Sequence, residues 1–240
     1  MTYDQLFSTF RLGNHSLDSR FVVAPMTRIS GEKDGRASEV MKHYYERYAK
    51  GGFSIVISEG IYPDESYSQG YLGQPGLAND AQVQSWKPVV EAVRNHGAKF
   101  IAQLMHAGGQ SQGNTFTDET IAPSDIAPKG EQLGFYGGSG PFQTPKAMTK
   151  DDITDVKDAF VQSALRAKEA GFDGVELHGA NGYLLDQFLT DYLNKREDEY
   201  GGSVEKRLRL LLEVIEKVRS AVGEDIVVGI LSDQSSRLCS

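Results

Sequence analysis

Three side chains able to handle protons or oxygen charge, His178, Asn181 and Tyr183, fall close together in the stretch VELHGANGYLL. The stretch opens on a short apolar run, Gly174 to Leu177, so these groups are delivered at the end of what reads as a buried strand. His178 and Asn181 are close enough in a tight turn to share one face and aim two donors at a single oxygen, an arrangement that polarises a carbonyl. Tyr183 offers a phenol that is protonated at neutral pH and suits a general acid for a carbanion. Each also has a structural reading: His178 satisfying a backbone group, Asn181 making a turn, Tyr183 packing as an aromatic just past a strand. Upstream, Gln103 carries a donor and an acceptor on one amide and matches an imide edge, or is only solvated. Thr27 can donate to a ring carbonyl or cap a turn.

The elements that must position these residues follow from apolar period and punctuation. Phe7 to Leu12 and Ser16 to Val22 flank the turn residues Gly13 and Asn14 and predict a hairpin. RFVVAPM, Arg20 to Met26, reads as a strand buried on both faces. Ser38 caps a helix carrying Val40, Met41, Tyr44, Tyr45 and Tyr48, which Gly51 and Gly52 stop. Phe53 to Ser58 is a second strand. Asn79 or Asp80 opens a helix through Trp86 and Val93 to Gly97, and Lys99 to Leu104 is strand three. Ala107 to Lys150 is rich in Gly, Pro, Ser and Gln and far longer than ordinary connections, a functional lid or else a disordered insertion. Thr149 with Asp152 resembles a capping box and starts a helix bearing Ile153, Val156, Phe160 and Ala164, which Gly171 ends. Asp173 to Leu177 is strand four. Ser203 caps a last helix with Leu208, Leu211, Leu212, Ile215 and Val218 as its stripe, and Glu205–Arg209 and Glu213–Lys217 as i,i+4 pairs. Ile226 to Leu231 is strand five, before the polar tail SDQSSRLCS.

Strands alternating with helices imply an α/β fold with parallel strands and right-handed crossovers. A doubly wound dinucleotide fold should carry G-x-G-x-x-G after its first strand, where this chain has APMTRISGEKDG. A (β/α)8 barrel places its chemistry at the carboxyl ends of several strands. The unusual residues sit there: Thr27 after strand one, Glu59 and Gly60 after strand two, Gln103 and His106 at strand three, His178 and Asn181 after strand four.

The composition narrows the partners. At 240 residues and 39% hydrophobic, one domain with a substantial core is expected. The formal charge of -8, from 33 acidic and 25 basic residues, argues against nucleic acid or an anionic membrane and for a small molecule. A single cysteine, Cys239, excludes an internal disulfide. The start MTYDQLFSTF lacks a secretory n-region and h-region, and no apolar run approaches the roughly 20 residues of a bilayer span. A cytoplasmic protein is the expectation. The histidines show no metal-like pairing, with no H-E-x-x-H and no cysteine cluster, and there is no G-x-S-x-G elbow or Walker sequence. Glu59 and Glu176 are an alternative, the carboxylate pair of a glycosidase barrel.

The segments APMTR (Ala24 to Arg28), SEG (Ser58 to Gly60), AQLMHAGGQ (Ala102 to Gln110) and above all Gly171 to Arg207 resemble the old yellow enzyme family of flavin-dependent oxidoreductases. The match runs from near the start of the chain to about Ile230, and the His-x-x-Asn-x-Tyr segment is its most specific part. The resemblance implies an FMN-bearing (β/α)8 barrel in which NAD(P)H reduces the flavin, which then passes a hydride to the β-carbon of an α,β-unsaturated carbonyl compound, such as an enone. It places Ala24, Pro25, Met26 and Thr27 along the flavin, Gly60 where the ring needs room, and Gln103 at the pyrimidine edge. His178 and Asn181 would bind the substrate carbonyl, Tyr183 would protonate the α-carbon, and the long excursion would shape the substrate mouth.

The family pattern continues after VVGI with an arginine that reaches the flavin and three more βα units. Here Ile230 is followed by Leu231 and the tail, and Arg237 is no evident substitute. The expectation is therefore the N-terminal part of one FMN-binding barrel domain over 1-230, an incomplete barrel of about five βα strands with an N-terminal hairpin, and a divergent tail over 231-240. Such a barrel would lack its phosphate loops and expose open edges that favour self-association. The alternative function is a catalytically inactive truncated product, an interaction or decoy subunit.

Overall fold

A computed structural model describes residues 3–232. In chain order it contains β1 (Phe10–Leu12), β2 (His15–Leu17), β3 (Val22–Val23), α1 (Glu39–Lys50), β4 (Ile55–Ile61), α2 (Asp80–Arg94) and β5 (Lys99–Leu104). Then come β6 (Ile121–Ala122), β7 (Lys146–Ala147), α3 (Lys150–Ala170), β8 (Gly174–Gly179), α4 (Leu184–Leu189), α5 (Val204–Val222) and β9 (Val227–Ser232). The central sheet has the order β3-β4-β5-β8-β9 with every pairing parallel. This is an incomplete barrel wall of five strands, as the alternation of apolar strands and helices predicts. Among the described residues β3 and β9 are its open ends.

The helix starts follow their caps. The Ser38 and Asn79 side chains accept from the backbone N–H groups of Met41 and Gln82, and Thr149 with Asp152 forms a reciprocal capping box. Gly171 closes α3 at φ 96°, a left-handed conformation that costs glycine nothing. Helices cover one face of the sheet. Phe100, Ala102 and Leu104 of β5 and Val175 and Leu177 of β8 pack there with Trp86, Phe160 and Phe172. The Trp86 and Phe172 rings meet edge-on at 5.3 Å and the Phe100 and Phe172 rings lie tilted at 4.7 Å, contacts worth about 0.5–1.5 kcal/mol each beyond their burial. On the opposite face Ile55, Ile101 and Leu17 cluster with Leu12, Ile57 and Val227, so the β1–β2 hairpin plugs the foot of the wall.

Several local expectations are corrected. The first strand spans two residues rather than RFVVAPM, because β3 is an end strand with one neighbour and Pro25 has no N–H to offer a ladder. Strand two reaches Ile61 and carries a register shift between Ile57 and Gly60. The disordered-insertion reading of the excursion fails: it holds helical turns at Gly108–Gln110 and Gly134–Tyr136 and the parallel β6–β7 pair. On α5, Leu212 is 51% exposed while Leu210 and Val214 are buried. The expected i,i+4 pairs there give way to bridges between helices. Glu213 binds Lys157 at 2.9 Å, Lys217 binds Asp158 at 2.9 Å, and Arg209 donates to the Glu199 carbonyl. Strand five runs Val227–Ser232, shifted by one residue from the expected Ile226 to Leu231, while Arg237 and Cys239 lie outside the described residues.

Candidate active site

At the carboxyl ends of the strands one cavity of about 280 Å³ is lined by Pro25, Met26, Thr27, Gly60, Gln103, Met105, Tyr136, His178, Asn181, Tyr183 and Leu231. Every residue the sequence assigns to catalysis or cofactor binding is therefore gathered there except Ala24, which is exposed and does not line it. Met105, Tyr136 and Leu231 are the additions. Alternation along β5 signals Met105, which is two residues on from Gln103 and so on the same face. Tyr136 comes from the middle of the long excursion, and nothing local in the sequence aims it at the cavity.

His178 is the fifth residue of the six-residue β8 and sits inside the strand, not after it, with Leu231 of β9 as its cross-strand neighbour. The strand then turns sharply. Tyr183 N–H donates to the Ala180 carbonyl, and the two central residues, Asn181 at φ 59° and Gly182 at φ 76°, are both left-handed, the mirror-type turn that an Asn-Gly pair adopts most easily. The turn brings the Tyr183 ring edge-on to His178 at 4.9 Å. Tyr183 is the N-terminal cap residue of the short helix α4, for which the sequence carries no side-chain cap signal. Buried Gln187 of α4 takes the Gly109 N–H on its oxygen and donates to the Ala107 and Gly182 carbonyls, tying the loops after β5 and β8 together. Burial, reinforced by the neighbouring Tyr136 phenol, pushes the Tyr183 phenol up to about 12, so it holds its proton across the physiological range.

The opposite wall is the loop after β3. Tyr71 O–H donates to Thr27 Oγ1 at 3.4 Å and stacks on Tyr136 with ring centroids 4.9 Å apart. Glu59 holds this loop from behind. The irregularity in β4 turns its carboxylate toward α1, where it accepts the Arg28 N–H at 3.0 Å, the Ile29 N–H, and the Tyr45 hydroxyl at 3.3 Å. Ile29 is left-handed at φ 54°, a costly conformation for a β-branched residue that this anchoring supports. Glu59 thus faces the helices while Glu176 binds Gln103 on the other face, and the two do not form a carboxylate pair for sugar chemistry. Burial raises both carboxyls above their ordinary range.

His106 leaves the rim as well. It is buried, its Nδ1 accepts the Gly108 N–H at 3.0 Å, and it lines a separate cavity of about 90 Å³ with Asp64, Tyr67 and Asp152. A side chain at Gly60 would run into Met105, so the glycine's open side is occupied by that thioether. Among the described residues no group of His, Cys, Asp and Glu is arranged to hold a metal ion, and no lysine or arginine lines the larger cavity. The donors and acceptors on its walls fit a flat heterocycle: the Gln103 amide, the Thr27 hydroxyl, the apolar Pro25, Met26 and Met105, and the polar His178, Asn181 and Tyr183 in the same cavity.

A parallel β/α barrel wall with a polar site at its strand ends defines an enzyme-like fold of the barrel class. The chain belongs to the NADH:flavin oxidoreductase / NADH oxidase family, whose model matches residues 5–236. It is 39% identical over 231 residues to flavin oxidoreductase hxnT of Emericella nidulans, covering 93% of this chain and 58% of that protein. It is 38% identical over 225 residues to putative 12-oxophytodienoate reductase 11 of Oryza sativa subsp. japonica, covering 92% of this chain and 60% of the relative. Among solved structures, the old yellow enzyme homologue of Zymomonas mobilis superposes with a TM-score of 0.87 at 36% identity, over 94% of this chain and 63% of that one. Morphinone reductase in complex with tetrahydroNAD gives 0.85 at 36% identity, over 95% and 63%. The chain thus spans about three fifths of the length of these relatives. Its family is one of flavin-dependent oxidoreductases, and no described helix is long and apolar enough to cross a membrane.

Proposed function

We propose that the cavity is the ring site of an FMN-dependent ene-reductase that uses NADH or NADPH and acts on α,β-unsaturated carbonyl compounds. The observation that carries the reading is one cavity lined jointly by Pro25, Met26, Thr27, Gly60, Gln103, His178, Asn181 and Tyr183. A flavin bound there would supply the hydride. The chain's own residues do the rest. Gln103 and Thr27 orient the ring, with Pro25 and Met26 against it. His178 and Asn181 hold the substrate carbonyl oxygen and stabilise its developing charge, an effect worth roughly 3–4 kcal/mol for one such donor in other enzymes. Tyr183 gives its proton to the α-carbon. Its raised pKa keeps that proton in place until the carbon needs it.

Against it stands a second reading, a non-catalytic subunit that associates through strand edges, since β3 and β9 are the end strands of the sheet among the described residues. The deciding experiment is flavin titration of the purified chain followed by NAD(P)H oxidation with a cyclic enone. Saturable binding and enone-dependent oxidation support the first reading. No binding in excess FMN, with concentration-dependent association by sedimentation, supports the second.

A further inference from the structure

Glu176 is the one residue of β8 whose chemistry the proposed reaction leaves unused. It faces the inner side of the sheet, directly across from Gln103 in the β5–β8 register, and its Oε1 accepts the Gln103 Nε2–H at 2.8 Å. Among the described residues Lys99 pairs with Asp173 and Lys157 with Glu213, and no lysine or arginine bridges to Glu176. A half-buried carboxylate without a cation is a costly way to fill space, and an aliphatic side chain of the same size would be better tolerated. Burial raises its pKa while the Gln103 bond pulls the other way.

The amide of Gln103 has two faces that differ only in where oxygen and nitrogen lie, and an amide can turn over by rotating its last torsion. An ionised carboxylate accepts and never donates, so it receives only the nitrogen end. The Gln103 backbone N–H is itself fixed by Ser58 Oγ at 3.0 Å, and the side chain is 2% exposed. Gln103 lines the cavity and Glu176 does not.

We propose that Glu176 is a positioning residue that locks the Gln103 amide in one orientation, so that Gln103 offers its oxygen and its second N–H as a fixed acceptor–donor pair to the imide edge of a bound ring. The inference rests on the flavin reading for the identity of the ring, and not for the Glu176–Gln103 lock itself.

The test uses riboflavin, which carries the same ring without the phosphate, and reads affinity by quenching of its fluorescence. Glu176→Met keeps the volume and removes the acceptor, and Gln103→Met removes the recognising group. Each is expected to weaken riboflavin binding by about tenfold, the scale of one hydrogen bond that involves or is held by a charged group. The double variant should bind no worse than Gln103→Met alone, because Glu176 acts only through Gln103. Additive losses, or unchanged affinity in Glu176→Met, overturn the proposal. Should Glu176→Met fail to fold, Glu176→Gln serves in its place. It keeps an acceptor but accepts either end of the amide, and a loss of roughly threefold is expected. Wild type that ignores riboflavin sinks the flavin reading alone. The lock is then judged by NMR of the Gln103 side-chain amide: faster hydrogen exchange in either Glu176 variant supports it, and unchanged exchange overturns it.

Discussion

The two faces of the central sheet are made by the same strands and have opposite characters. On the helix-covered face, alternate residues of β5 and β8 are Phe100, Ala102, Leu104, Val175 and Leu177, all buried in one apolar cluster. On the inner face, the residues between them include Gln103, Glu176 and His178, and beyond Ile101 and Val227 the surface turns polar and opens into the cavity. Because side chains alternate strictly along a strand, stability and chemistry are separated residue by residue. The outer face can be optimised for packing while the inner face keeps groups that packing alone would not select.

The comparison is broken or sharpened by substitutions on each side. The largest effect is expected from Trp86→Ala on the helix side, which empties a fully buried site among Tyr45, Phe100 and Phe172 and should cost about 3–5 kcal/mol in urea unfolding. A loss under about 1 kcal/mol would mean that the aromatic cluster is not the centre of stability. On the inner face, His178→Ala should leave unfolding within about 1 kcal/mol of wild type. In the flavin-loaded chain it should weaken phenolic ligands, which mimic an enolate, by about a hundredfold, close to 3 kcal/mol. Unchanged phenol affinity would remove His178 from its assigned role. Thr149→Ala opens the capping box of α3, away from the cavity, and should lower stability by about 1 kcal/mol with ligand affinity unchanged.

The smallest effect at neutral pH is expected from Tyr183→Phe, whose stability there should match wild type. The phenol rises from 10.0 to about 12 on folding, so the folded state keeps a proton that the unfolded chain gives up. Its contribution is fully present below pH 10 and is lost as pH climbs toward 12. The ultraviolet difference between wild type and Tyr183→Phe should therefore show no phenolate from this residue at pH 10. A phenolate signal near that pH would contradict the burial of Tyr183 against Tyr136.

The local code was legible where one residue acts on its own neighbourhood. Ser38, Asn79, Thr149 and Gly171 mark helix ends through bonds to adjacent backbone groups, and the Asn181–Gly182 pair specifies its own turn. The apolar run KFIAQL was legible as a strand with Gln103 near its carboxyl end, while the face Gln103 takes is seen in the packing of Phe100, Ala102 and Leu104 on the other side. The rim residues were legible for the same reason, since a strand end is a local feature and a barrel wall brings successive strand ends together. Glu59 was not. Whether it faces the cavity or the helices depends on an irregularity of pairing between β4 and β5, and pairing is a property of two strands. Glu213 and Lys217 likewise found partners on α3 once the two helices were packed side by side.

The sequence by itself determined the alternation of strands and helices, the segment that carries His178, Asn181 and Tyr183, and the family to which these belong, because spacing and residue type are local quantities. Only the tertiary structure decided that His106 turns away into its own cavity, that Tyr136 returns from a long excursion to face Tyr183, and that Glu176 holds the Gln103 amide. Each of those outcomes depends on which distant backbone comes within hydrogen-bond or van der Waals reach, and contacts of that range are set by folding of the whole wall.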